Sequence, residues 1–195
     1  PIRQELLSGN KIAALDLCGF TADKPVILVI GGSLGSVVVN NAVRQSLPEL
    51  LKDFQIIHLC GKGKVDDSLK DTKGYCQFEY IKSELRDIFA LSDIVISRAG
   101  ANAICELLAL RKPNLLIPLS AKASRGDQIL NARSFERQGF SMVLEEDELS
   151  EETLVSSVHT LYENRGTFID AMRDSGQHNS IDTIINLIEE AVSGK

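Results

Sequence analysis

Short runs of consecutive apolar residues, many of them β-branched, alternate along this chain with longer stretches in which apolar positions return every three or four residues. The runs are Val26 to Ile30, Gln55 to Cys60, a shorter one at Cys76 to Ile81, Asp93 to Ser97, Asn114 to Pro118 and Ser141 to Leu144. Apolar residues at successive positions cover both faces of a strand, which is the mark of a parallel sheet sandwiched between helices. The stretches between them predict those helices: through Val37-Val38-Val39, Ala42-Val43 and Leu47, over Glu84 to Leu91, after Gly100 as far as Leu110, and from Asp127 through Arg133. Helices over Glu151 to Tyr162, Thr167 to Asp174 and Ile181 to Val192 close the chain. Residues Pro1 to Lys24 read as a mixed segment with a helical patch and a polar turn at Thr21 to Pro25. Leu119 to Gly126 reads as a polar loop and Glu145 to Ser150 as an acidic link. Strands alternating with helices predict an α/β fold: one domain over residues 1–195, with a doubly wound, mostly parallel, six-stranded Rossmann-like sheet and C-terminal helices.

Two corners where a strand hands over to a helix carry the chemistry. Val26 to Ile30 runs straight into Gly31-Gly32-Ser33-Leu34-Gly35-Ser36, and Ile94-Val95-Ile96 into Ser97-Arg98-Ala99-Gly100-Ala101-Asn102. Helix starts present unpaired amides and partial positive charge, so such corners suit anions. Glycine lets the backbone come close to a ligand, Ser33 adds a hydroxyl, and Arg98 adds a charged donor fork. Glu106 stands one turn beyond Asn102 on the same helical face, where a carboxylate can take two sugar hydroxyls. Gln128 and Asn131, one turn apart, offer paired donors and acceptors. In a doubly wound sheet both corners, the Ile81-Lys82 loop and the loop before Gln128 fall on the carboxyl edge of the strands, where ligands bind. A phosphate, a ribose and a hexose would each find a partner there. The Gly-Gly-x-x-Gly spacing is not the dinucleotide fingerprint and no acidic residue closes the next strand, so a nicotinamide cofactor is not expected; nor is it a Walker loop, since no Gly-Lys-Ser/Thr follows. Gly61-Lys62-Gly63-Lys64 reads as a solvated loop.

Composition narrows the partners. With 195 residues, 44% hydrophobic and 25% charged, usage is that of an ordinary globular domain. A net charge of −6 leaves no basic face for nucleic acid, so any phosphate is held locally. Cys18, Cys60, Cys76 and Cys105 form no CxxC pair and read as reduced thiols of a cytoplasmic protein. His58, His159 and His178 show no ligand spacing, so no metal site is expected, and His58 reads as a strand residue at the edge of the core rather than a base. No apolar run approaches the roughly 20 residues of a membrane span, and the first residues carry no signal-peptide pattern.

Several pieces, in order over nearly the whole chain, resemble the C-terminal, donor-binding half of the MurG family of bacterial glycosyltransferases, glycosyltransferase family 28. They are Pro1-Ile2-Arg3, Gly31 to Gly35, Ser92 to Ala101, Cys105 to Ala109, Lys112 to Pro118 and Asp127 to Ala132. The resemblance implies one half of a GT-B fold, a UDP-N-acetylglucosamine donor, and transfer with inversion to lipid I to make lipid II for the peptidoglycan cell wall, a step tied to cell division. It implies that Ser33, with the amides of Gly32, Leu34 and Gly35, holds the diphosphate, with Arg3 nearby and Arg98 and Gly100 shaping the corner. Glu106, beside Asn102, would hold the ribose and backbone near Ile81 would read uracil, while Gln128, Asn131 and the Ala101 amide would face the N-acetylglucosamine. The family's N-terminal domain, with its acceptor site, membrane-contacting patch and presumed catalytic base, has no counterpart here, so no catalytic residue is expected in this chain. Lipid I and the membrane would be met through that other domain, with the full-length protein at the inner face of the bacterial cell membrane. The loop Ser124-Arg125-Gly126-Asp127 also lacks a histidine often present in the family. The alternatives are a naturally separate catalytic subunit of a two-protein N-acetylglucosaminyltransferase, and a UDP-sugar-binding or epimerase-like protein.

Overall fold

The computed structural model describes residues 3–32, 34–175, 188, 189, 192 and 193. Ser33 and most of the helix expected over Ile181 to Val192 lie outside the described residues. A 3-10 turn, Gln4–Leu7, leads into α1 (Lys11–Cys18). Then follow β1 (Val26–Ile30), α2 (Val37–Leu50), β2 (Gln55–Leu59), β3 (Tyr75–Phe78), α3 (Leu85–Leu91), β4 (Ile94–Ser97) and α4 (Ala101–Ala109). The chain continues through β5 (Asn114–Leu116), α5 (Asp127–Arg137), β6 (Ser141–Val143), α6 (Glu151–Glu163) and α7 (Arg165–Ser175). The crossover from β2 to β3 contains only a 3-10 turn, Asp67–Leu69.

The sheet has the order β3-β2-β1-β4-β5-β6, and every pairing is parallel. The chain starts in the middle, winds out through β2 to β3, then returns to lay β4 against β1 and winds out the other way. Connections leaving the carboxyl ends of β1 and β4 therefore diverge, which opens a crevice between them.

Burial explains why β1 must be central. Val26, Ile27, Leu28 and Val29 are each at most 1% exposed, which demands helices on both faces. Leu28, Ile57, Val95 and Leu116 point to one face, closed by α1, α3, α4, α5 and α7. Ile27, Val29, Ile56, Ile94, Ile96 and Leu115 point to the other, closed by α2 and α6. Full burial of each such side chain contributes about 1.5–3 kcal/mol, so the sheet is the rigid part on which the loops stand.

Strand ends fall short of the apolar runs for local reasons. β5 stops before Pro118, whose nitrogen has no proton for a ladder bond. β3 spans Tyr75–Phe78 rather than Cys76 to Ile81, because residues from Glu79 onward turn off over the carboxyl edge of the sheet.

Candidate functional site

The first corner is built by backbone packing. Gly35 has φ +71°, and a Cβ there would lie 2.0 Å from the Cys60 carbonyl oxygen. The loop after β2 presses equally hard from the other side: Gly61 has φ +94°, and its Cβ would lie 2.5 Å from the Gly35 nitrogen. Only glycine fits at these facing positions. Gly61-Lys62-Gly63-Lys64 is thus not wholly a solvated loop, as expected from its lysines: Gly61 is buried and Lys64 Nζ donates to the Leu34 carbonyl. Gly32, with φ +88°, has open space beside it, and Leu34 is 76% exposed.

The second corner opens on the same edge. α1, α2 and α6 begin with side-chain caps from Asn10, Ser36 and Ser150, whereas α3, α4 and α5 begin with none, α4 at Gly100. The first amides of α4 are left for another acceptor.

Arg98 is expected as a donor fork at this corner, and the structure turns that fork inward. It is 9% exposed; Nη2 donates to Ser36 Oγ at 2.7 Å and Nη1 to the Ile117 carbonyl at 3.1 Å. Nη1 also lies 2.6 Å from Glu146 Oε1. A buried guanidinium needs a countercharge, and Glu146 supplies it from within the acidic link, which folds as a 3-10 turn, Glu146–Glu148. Arg98 therefore sets the corner's shape from below.

Gln128 and Asn131 likewise serve the protein's own backbone. Gln128 Oε1 accepts from the Ala99 amide at 3.2 Å and from the Leu119 amide at 2.9 Å. Asn131 Nδ2 donates to the Ala99 carbonyl at 3.0 Å and is 5% exposed as a residue. Both polar groups of residue 99 are thus clamped by α5, just before the free helix start. Gln128 Nε2 remains on the Gly100 side, 3.9 Å from where a Cβ on Gly100 would stand.

One groove of about 540 Å³ gathers Arg3, Ile30, Gly32, Ile81, Asn102 and Glu106. Of the residues expected at a site, Arg3, Gly32, Ile81, Asn102 and Glu106 therefore share one hollow. Arg98, Gln128 and Asn131 stand behind the second corner instead; Gly100 and Ala101 are the corner itself and, like Leu34 and Gly35, do not line the groove, and Ser33 lies outside the described residues. Leu59, Glu79, Tyr80, Leu85 and Ala103 complete the lining. The sequence reading missed them; Tyr80, directly before Ile81, is 60% exposed, an exposure set by the fold and unmarked in the sequence.

Within the groove Arg3 and Glu106 make a two-pronged ion pair, Nε to Oε1 at 2.7 Å and Nη2 to Oε2 at 3.0 Å. That hydrogen bond raises the Arg3 guanidinium above its ordinary pKa. His58 lies apart, fully buried on β2, with Nδ1 2.7 Å from Tyr75 Oη and Nε2 2.8 Å from Asn40 Oδ1. Burial, with Arg44 nearby, lowers its pKa to about 3, so the ring is neutral and structural. No group of three or more His, Cys, Asp and Glu among the described residues is placed to hold a metal ion. No helix among them is long and apolar enough to cross a membrane.

Residues 26–188 match the model of the glycosyltransferase family 28 C-terminal domain. A protein of Lachnospira eligens is 67% identical over 97% of this chain and 54% of its own length. One of Lachnoclostridium phytofermentans is 65% identical over the same shares. Both are named UDP-N-acetylglucosamine--N-acetylmuramyl-(pentapeptide) pyrophosphoryl-undecaprenol N-acetylglucosamine transferase, and the chain spans about half their length. Among solved structures, MurG of Acinetobacter baumannii superposes with a TM-score of 0.67 at 22% identity, over 97% of this chain and 55% of that one, which places the fold among GT-B glycosyltransferases. The corners, their order and these likenesses converge: the chain belongs to glycosyltransferase family 28, as its C-terminal domain.

Proposed function

We propose that this chain binds UDP-N-acetylglucosamine as the donor half of an inverting transferase that adds N-acetylglucosamine to lipid I. The observation that carries this reading is the groove at the point, between β1 and β4, where the strand order reverses. It joins a carboxylate suited to a ribose diol, Glu106, to the uncapped start of α4 and to Gly32 of the first corner. Backbone at Ile81 on the facing wall would read uracil. Arg3, with the free amides, would face the diphosphate, and the corner at Gly100 and Ala101, with Gln128 Nε2 behind it, would meet the sugar.

In transfer, the bond from the anomeric carbon to the diphosphate oxygen breaks as the acceptor hydroxyl attacks from the opposite face. The electron pair leaves on UDP, where helix amides and a guanidinium stabilise the new charge without reorganising. The hydroxyl proton needs a base. Glu106 is engaged by Arg3 in the empty groove and would be engaged by the ribose in the donor complex, and Glu79 accepts from the Gly63 amide; neither is offered to an acceptor. The base is therefore assigned to the portion of the relatives' length that this chain does not span, as are lipid I binding and contact with the inner face of the membrane.

Calorimetry tests the donor reading. UDP and UDP-N-acetylglucosamine are expected to bind and the deoxythymidine and cytidine diphosphates to bind more weakly, with no sugar transferred by the chain alone. Absence of heat at millimolar UDP with folded protein would overturn the assignment.

A further inference from the structure

Glu106 faces the groove, yet both of its oxygens are already taken by Arg3. The pair is lopsided. Glu106 is fixed on α4 with its side chain 14% exposed, whereas the Arg3 side chain is 48% exposed and reaches in from outside. Arg3 also borders a second hollow of about 400 Å³, lined by Glu5, Leu6, Ile81, Lys82, Ser83 and Arg86. With open space on both sides, the guanidinium can leave Glu106 without displacing packed atoms.

Resting on the reading of the groove as a nucleoside diphosphate site, we infer that Arg3 is a latch on Glu106. In the empty groove it occupies the two oxygens that a vicinal diol would use, and the diphosphate of the arriving nucleotide draws it away. Two parallel N–H donors, one on each oxygen, leave a vicinal diol only the outer lone pairs, so the two partners compete for the carboxylate. A neutral diol is a weaker donor than a guanidinium, so a nucleoside alone exchanges a stronger contact for a weaker one. A nucleoside diphosphate offers Arg3 a new anion in the same groove, so the ion pair is exchanged rather than lost. Arg3 thereby becomes a specificity-determining residue that rejects nucleosides as well as holding diphosphates.

This predicts effects of opposite sign from a single substitution. Uridine and UDP are titrated into the wild-type chain and into Arg3→Met, by calorimetry or by chemical-shift changes up to tens of millimolar. Losing one charge-assisted pair corresponds to about 10- to 100-fold in affinity. Uridine is expected to bind Arg3→Met more tightly by about that factor, because Glu106 is released, while UDP binds more weakly by a similar factor. Uridine binding that does not rise in the variant, including none detectable in either protein, overturns the latch while leaving the donor site intact. Wild-type protein that fails to bind UDP overturns both. The Arg3 side chain is half exposed, and a melting curve for the variant that matches wild type excludes a folding defect.

Discussion

On the proposed reading of the groove, Glu106 is the side chain that would hold the ribose. Its carboxylate is held in the groove wall by its own helix, so replacing it removes acceptors without moving backbone. Glu106→Ala is expected to weaken UDP about 10- to 100-fold, the range for hydrogen bonds to a charged group, and to abolish the preference for UDP over 2′-deoxy-UDP. Calorimetry with both nucleotides checks this; a preference that survives in the variant would remove Glu106 from the ribose. His58 is the residue where pH meets stability. The folded chain keeps it neutral down to about pH 3, against an ordinary value of 6.5, so the unfolded chain binds the extra proton. Stability is then lost as pH falls from 6.5 toward 3, by up to about 1.4 kcal/mol per pH unit from this group. His159 works in the opposite sense, since its bond to Asp53 raises its pKa, but that exposed pair contributes little. Denaturant titrations across this range should show a shallower slope in His58→Gln than in wild type, and equal slopes would refute the argument.

The β1–α2 and β2–β3 loops meet as two backbones with no side chains between them. Gly35→Ala would bring a methyl within 2.0 Å of a carbonyl oxygen at a positive φ. It is expected to cost about 3 kcal/mol or more and to loosen the first corner. Gly63→Ala provides the comparison: its φ is also +71°, yet nothing stands within 4 Å, so only about 1 kcal/mol of conformational cost applies. Thermal or urea unfolding of the two variants side by side decides the matter, and equal costs would show that φ rather than the close approach sets the requirement.

The loops of the carboxyl edge act together because Arg98 ties them beneath the surface. It joins the α2 cap at Ser36, the end of β5 at Ile117 and the 3-10 turn at Glu146. Arg98→Met orphans Glu146 in a half-buried setting and is expected to cost about 3–5 kcal/mol, lowering the melting temperature by roughly 10 °C. Arg98→Met combined with Glu146→Leu should recover part of the loss, since the stranded carboxylate is the larger penalty. Calorimetric melting that finds the single variant as stable as wild type would show that the tie is idle.

The alternation of apolar runs with helical periodicity was enough to specify a parallel, doubly wound sheet, because a strand buried on both faces leaves no polar position to disguise it. The two glycine corners were legible for a similar reason: both glycines and helix starts are local features. Ser36 as a cap, Glu146 as a countercharge and the facing of Gly35 by Gly61 were not, since each joins residues far apart in the chain whose types are common on any surface. Arg98 and Gln128 show the limit most clearly. Their chemistry suits a ligand, but only the packed fold determined that their hydrogen bonds run to the protein's own backbone and caps. Burial removes water as the alternative partner, so a polar side chain drawn into the packed fold turns to protein groups that only the fold brings near.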